Sequence, residues 1–194
     1  MPSDATRNSL VLPMLGLLVE EPAHGYDITT RLRQRYGHLS VTRSTVTSLL
    51  KTLEKAGLIY SRHPERVGNR PPRTAYELTA AGLADFRHRV EAGVRDTVAA
   101  SVEFVMAVAY VGILPIDRAA SVLDGRADRL DRELAALSAL PDGDVLEVHM
   151  LEVAYWRTIV AAEVAWIRNM VRRIRSHEIS WPTGQADQHR SAEA

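Results

Sequence analysis

The chain contains no cysteine, which excludes disulfide frameworks, thiolate zinc sites and cysteine nucleophiles. It has no excess of either charge, with 24 Lys+Arg against 24 Asp+Glu. No phosphate loop of the G-x-x-x-x-G-K-[ST] type occurs, no G-x-G-x-x-G follows a strand, and no G-x-S-x-G nucleophile turn is found. An enzyme is therefore not expected, nor a cofactor. Residues 1–18 carry too little positive charge ahead of their apolar run, and lack a small-residue cleavage site, to read as a signal peptide. The expected location is the cytoplasm. Val98 to Leu114 is apolar apart from Ser101 and Glu103. As a helix it would span about 26 Å at ~1.5 Å per residue. It is short for a membrane span and lacks flanking basic anchors. A buried helix in a dimer core is expected instead.

What is present is ordinary for a globular protein, with 46% hydrophobic and 25% charged residues in 194. The zero net charge hides an asymmetry. Residues 1–90 hold 13 Lys+Arg against 8 Asp+Glu, and the remainder holds 11 against 16. Between Arg31 and Arg73 lie ten basic residues opposed only by Glu54 and Glu65. A basic half joined to an acidic one suggests a polyanion-binding module attached to a partner-binding module.

Three helices and a hairpin are legible in the basic half. Ser9 to Val19 is short and apolar, with Pro13 placed for a first helical turn. Gly25 to Tyr36 repeats Tyr26, Ile28 or Thr29, Leu32 and Tyr36 at helical spacing; Tyr26 reads as core or hinge packing, with a phosphate contact through its hydroxyl as the other reading. Arg43 to Ala56 forms a third helix, with Thr42 as N-cap and Gly57 as stop. Val46, Leu49, Leu50 and Leu53 fall on one stripe of it. The opposite face carries Thr45, Thr47, Ser48, Lys51, Thr52 and Lys55 with no acid among them, whereas a solvated helix usually mixes in Glu. Short hydroxyls let a helix approach a groove closely and bond to phosphates or base edges. Leu58 to Tyr60 and Thr74 to Leu78 then read as paired strands around a basic loop, and Thr79 caps a further helix. The fold class is mostly α, an N-terminal winged helix-turn-helix of three helices plus a two-stranded wing.

Residues 10–90 resemble the PadR family of bacterial transcription regulators. The resemblance lies in Leu15-Gly16-Leu17-Leu18, in Pro22-Ala23-His24-Gly25-Tyr26-Asp27-Ile28, in the run from Leu50 to Ile59, and in Tyr76-Glu77-Leu78-Thr79-Ala80-Ala81-Gly82. The family commonly has Tyr in the recognition helix where this chain has Thr47. The resemblance implies double-stranded DNA with a two-fold symmetric operator as partner, and a homodimer. It also implies a ligand-responsive repressor. Arg43, Ser44, Thr45, Thr47, Ser48 and Lys51 are the candidate groove contacts, with Arg43 gripping phosphate. Arg66, Asn69, Arg70 and Arg73 are the candidate wing contacts.

From Glu91 onward the chain looks like the family's C-terminal helical dimerisation domain. Leu114-Pro115-Ile116-Asp117 begins a helix carrying Ala120, Leu123, Leu130, Leu134 and Leu137. Pro141-Asp142-Gly143 is a turn, and Asp144 caps a final helix reaching Ile174. Along that helix Leu146, Met150, Val153, Val160, Val164, Ile167, Val171 and Ile174 follow alternating spacings of four and three, broken only by Arg157. A seam so long is hard to bury in one small subunit, so a partner helix is expected. Tyr155, Trp156 and Trp166 are effector candidates, because some relatives accept flat aromatic ligands at the subunit interface. His149 and Glu152 lack companions for a metal site and read as surface pairing, and His24 reads as structural. The expected division is 1–90, 91–177, and a disordered tail over 178–194. Two other readings stand beside this one: a MarR-type winged-helix regulator, and a winged helix that binds protein rather than DNA.

Overall fold

The computed structural model describes residues 8–37, 40–62, 74–139 and 146–182. Its contacts divide the chain into two compact units, Met1–Arg89 and Val90–Ala194.

In the first unit, α1 (Val11–Glu20) is buried along nearly its whole length, with Pro13 in its first turn, where no helical hydrogen bond is lost. A two-residue strand, β1 (Ala23–His24), leads into α2 (Gly25–Arg35), and α3 (Arg43–Lys55) follows. Ile28 and Leu32 of α2 are fully buried, and Tyr36 closes that helix from inside the core. The wing strands are β2 (Ile59–Ser61) and β3 (Ala75–Leu78), and α4 (Ala80–Asp96) comes next. The sheet is antiparallel in the order β1-β3-β2. The two-stranded wing expected from sequence thus has a third strand, Ala23 opposite Tyr76 and His24 opposite Ala75. Two residues between Pro22 and a helix give no period to read.

The exit from α3 fixes the geometry of the wing. Gly57 has φ +71°, the left-handed region that side chains with a Cβ resist. Its N–H donates to the Glu54 carbonyl and the Leu58 N–H to the Leu53 carbonyl, the paired bonds of a Schellman stop. The chain leaves this turn directly into β2. Leu58 in turn receives α4: its carbonyl accepts from the Thr79 N–H, and the Thr79 hydroxyl accepts from the Gly82 N–H at 2.9 Å, capping the helix. Gly82 has to be glycine, because a Cβ there would lie 1.9 Å from the Leu58 carbonyl oxygen.

The second unit holds the rest of α4, then α5 (Val102–Ala109), a 3-10 turn (Val111–Ile113), α6 (Ile116–Ser138), a second 3-10 turn (Glu147–Met150) and α7 (Leu151–Arg175). The apolar run from Val98 to Leu114 is not one buried helix. Ser101 restarts the chain as an N-cap, accepting from the Phe104 N–H, and Val98, Val102 and Val105 stay exposed. Ala100 just before it has φ 55°, and its N–H donates to the Glu163 carboxylate at 2.6 Å.

The heptad seam also resolves differently from its expected role. Val160, Ile167, Val171 and Ile174 are buried within one chain, where α7 lies along α6. Leu123, Ala127 and Leu130 of α6 are buried too. An i, i+3, i+4 stripe does not say whose helix covers it, and here the chain's own α6 does. Arg157, the break in the heptad, donates from Nε to the Leu137 carbonyl at 3.0 Å and so satisfies the end of α6. Arg168 and Arg175 pair with Asp124, and Arg168 also pairs with Asp128 and Asp131. Asp144, the expected cap of the final helix, lies outside the described residues, and α7 begins only after the 3-10 turn. Part of the segment expected to be disordered, residues 178–182, is described and packed. Trp181 donates its indole N–H to the Leu114 carbonyl at 2.9 Å, and Pro182 sits against Gly112. Residues 183–194 lie outside the described residues.

The two glycines yield a ranked prediction. Gly82→Ala should lower stability by about 1–3 kcal/mol, because neither Leu58 nor α4 can yield without breaking the cap. Gly57→Ala should cost about 1–2 kcal/mol from the left-handed backbone alone. Urea unfolding measures both, and a Gly82→Ala protein as stable as wild type would contradict the close approach.

Candidate nucleic-acid interface

Burial of one stripe decides which side chains α3 offers. Val46, Leu49, Leu50 and Leu53 are no more than 5% exposed. On a helix with 3.6 residues per turn this turns Thr47, Ser48 and Lys51 outward, and all three are exposed. The N-terminus is fixed by Thr42, whose hydroxyl accepts from the Thr45 N–H at 3.1 Å and lies 2.9 and 2.7 Å from the Ser44 and Thr45 hydroxyls. Ser44 is exposed, while Thr45 is half-buried.

Two of these side chains have constrained chemistry. The Thr47 hydroxyl donates to the Arg43 carbonyl at 2.9 Å, so towards solvent it presents lone pairs and a methyl group. It is an acceptor, not a donor. Arg43 lies over the ring of Tyr26, 5.4 Å from the centroid, a cation–π contact that restrains a long side chain at the mouth of the helix. Tyr26 is therefore not core. It is 56% exposed at the start of α2. Tyr26 lies about 60° around the helix from buried Thr29 and about 120° from buried Leu32, at the margin of the stripe, so spacing alone does not decide its exposure.

The basic run of the sequence separates into two sets. Arg31 pairs with Glu20 and Glu21, Arg35 pairs with Glu20, and Arg62 pairs with Glu77. Arg33 donates from Nε to the Val41 carbonyl in the turn before α3. These four stabilise the unit. Arg43, Lys51 and Lys55 have no carboxylate within ion-pair distance among the described residues. Glu54, the one acid of α3, is turned to the wing, where it accepts from the Ser61 N–H at 3.1 Å. The face left outward is cationic and hydroxyl-bearing.

At the base of the wing, Glu77 accepts from the Tyr60 hydroxyl at 2.6 Å and from Arg62 Nε. The bond to Glu77 raises the Tyr60 phenol above its ordinary value. The expected wing contacts Arg66, Asn69, Arg70 and Arg73 lie outside the described residues.

The remaining candidates lie in the second unit. Leu146 is 68% exposed, Val153, Val164 and Met150 are half-buried, and the other four seam residues are the buried ones above. The aromatic candidates do not converge within one chain. Tyr155 is 66% exposed, and Trp156 donates to Glu133 at 2.9 Å. Trp166 lies edge-on to Phe104 at 6.3 Å. Tyr155 and Trp166 are about 16 Å apart along α7 at ~1.5 Å per residue. Among the described residues no helix is long and apolar enough to cross a membrane, and no group of His, Asp and Glu could hold a metal ion.

A helix-turn-helix with a wing and an unpaired cationic recognition face defines a DNA-binding class. The sequence profile of the Transcriptional regulator PadR-like family matches residues 14–88. A PadR-family regulator from Eggerthella lenta is 32% identical over 42% of this chain and 69% of its own, with a TM-score of 0.37. A transcriptional regulator from Clostridium thermocellum is 30% identical over 47% of this chain and 85% of its own, with a TM-score of 0.39. The Bacillus subtilis PadR, solved with operator DNA, is 21% identical over 86% of this chain and 99% of its own, at a TM-score of 0.43. No curated protein matches the chain. The chain belongs to the PadR-like family and is a DNA-binding transcriptional regulator. The MarR-type reading falls with that assignment.

The cap of α3 is testable without DNA. Thr42→Ala should cost about 1 kcal/mol of unfolding free energy. Tyr26→Leu, at an exposed ring, should change stability by less than about 0.5 kcal/mol. Equal losses from the two would show that Tyr26 packs in the core after all.

Proposed function

We propose that the chain is a sequence-specific repressor that binds a two-fold symmetric operator as a homodimer. The observation that carries it is the outward face of α3, where Arg43, Thr47, Ser48 and Lys51 are exposed and the helix's only acid is turned away. In this reading α3 enters the major groove. Thr47, as an acceptor with a methyl group, suits the exocyclic amine of adenine or cytosine, or the methyl of thymine. Arg43, held by Tyr26, and Lys51 take phosphates, and Arg66, Asn69, Arg70 and Arg73 contact the flanking backbone or minor groove. Repression follows from occupying a promoter.

The dimer rests on different residues from most of the heptad seam. Leu146, Val148, Leu151 and Tyr155 are all more than half exposed around the start of α7, an apolar patch that a partner would cover. Two-fold symmetry then sets half-site centres about one helical turn, or a multiple of about 10–10.5 base pairs, apart. A flat aromatic effector at the subunit interface, beside Tyr155, Trp156 and Trp166, would release the operator by favouring a dimer whose recognition helices are differently spaced.

A mobility shift on the chain's own upstream DNA at two salt concentrations tests the reading, and binding no tighter than to random DNA would favour a protein-binding winged helix. Thr47→Ala should cost about 1–3 kcal/mol on the operator and leave non-specific binding nearly unchanged. Lys51→Ala should weaken both and lower the salt slope by about 1. Leu151→Glu should shift the sedimenting species from dimer to monomer, and an unaltered dimer would place the interface elsewhere.

A further inference from the structure

The second unit carries a cleft of about 480 Å³ between the end of α4 and one face of α6. Glu91, Arg95 and Asp96 line it from α4, and Arg118, Ser121, Val122, Gly125, Arg129 and Arg132 line it from α6. The α6 residues recur at three- and four-residue spacings, so they form one stripe facing α4. Gly125 lies in the middle of the stripe, and a Cβ there would meet nothing within 4 Å. The cleft is open at that point for want of a side chain. Its volume is in the range of small-molecule sites.

Its charges do not cancel. The carboxylates are already taken: Glu91 accepts from Arg118 and Arg95, and Asp96 accepts from Arg95 through two bonds at 2.8 and 2.9 Å. These contacts hold Arg95 and Arg118 more firmly protonated than usual. Arg129 and Arg132 have no carboxylate within ion-pair distance among the described residues. Asp128 and Asp131, which neighbour them in sequence, are drawn away to Arg168. The cleft therefore carries an excess of two positive charges.

One donor in it is also orphaned. Arg129 donates from Nη2 to the Thr97 carbonyl at 2.8 Å, but its Nε is buried with no hydrogen-bond partner. Buried N–H groups without partners are rare, because the lost hydration is not replaced. Among the described residues Arg87, outside the cleft, is the other arginine with a buried Nε in this state. Arg132 donates from Nε to the Asp128 carbonyl at 3.3 Å, a weak bond that leaves its terminal nitrogens available for the cleft.

We propose that this cleft is a binding site for a small organic oxyanion, a carboxylate or phosphate monoester, held by Arg129 and Arg132. Guanidinium groups match both oxyanions through paired N–H donors. Arg95 and Arg118 hold Glu91 and Asp96 against the wall, where they do not repel an entering anion. The site is built wholly within the second unit, so it stands or falls independently of the DNA-binding reading.

Isothermal titration calorimetry of the full chain tests it, with inorganic phosphate, citrate and benzoate as probes against sodium chloride at matched ionic strength. At least one oxyanion should bind saturably with a Kd below about 1 mM. The phosphate and carboxylate arms then separate the two sources of the same chemistry. Arg129→Gln and Arg132→Gln should each weaken that binding at least tenfold, while Arg172→Gln, which lies outside the cleft, should not. Circular dichroism melts check that each variant is folded. If Arg129→Gln unfolds, exposed Arg132 decides the matter. No saturable binding by any probe, or binding unchanged in the folded cleft variants, would overturn the proposal.

Discussion

The N-terminal unit depends on the burial of four side chains, Val46, Leu49, Leu50 and Leu53, on one side of α3. Full burial of each contributes on the order of 1.5–3 kcal/mol, which no surface contact on the opposite face could outweigh. Once that stripe is inside, the rotation of the helix is set, and the hydroxyls and Lys51 have nowhere to point but out. The same burial places the Gly57 turn, which sends the chain into β2 and brings the Leu58 carbonyl under α4. Recognition face, wing and the start of α4 are consequences of one packing choice.

The second unit follows a different logic, in which arginines close the structure. Arg126 is fully buried in α6 and pairs with Glu163 of α7 at 2.7 Å. It donates to the carbonyls of Val94, Thr97 and Val98 and stacks 3.9 Å from the centre of the Phe104 ring. Those carbonyls lie at and just past the end of α4, where helical partners run out, and the Thr97 carbonyl accepts from Arg129 as well. Burial pushes the guanidinium pKa down, and Glu163 opposes that shift. Removing either partner would strand a charge in the interior, a much larger loss than that of an exposed pair. Asp124, Asp128 and Asp131 of α6 are likewise taken by Arg168 and Arg175, which leaves Arg129 and Arg132 to face the cleft.

This contrast explains what could be read in advance. Around α3 the signals are local: a Thr that caps, a Gly that stops, a stripe of four apolar residues between them, and Thr79 three residues ahead of Gly82. Each acts over one turn, so the sequence alone carries it. The heptad of α7 is equally regular but ambiguous, because burial by α6 and burial by a second chain impose the same spacing. Arg157 looks like a flaw until the Leu137 carbonyl is found opposite it. Arg126 gives no signal, since nothing in a charged stretch marks the one arginine that goes inside. The ten basic residues between Arg31 and Arg73 are legible in the sequence as a sum but not as a division between ion pairs and free cations. That division requires knowing that Glu20 of α1 lies beside Arg31 and Arg35 of α2. Tyr26 sits at the margin of the buried stripe of α2, three residues before Thr29, where helical spacing alone does not fix exposure.

The central claim is that the outward face of α3 lies in the major groove, and the lack of cysteine makes a direct measurement simple. Ser48→Cys introduces a single thiol on that face, to which an iron chelate can be tethered for cleavage of bound operator DNA. Strand breaks clustered across the major groove at each half-site are the expected result, with the two strands cut symmetrically about the operator centre. Specific binding with no cleavage near the half-sites would contradict it, because α3 would then lie away from the DNA.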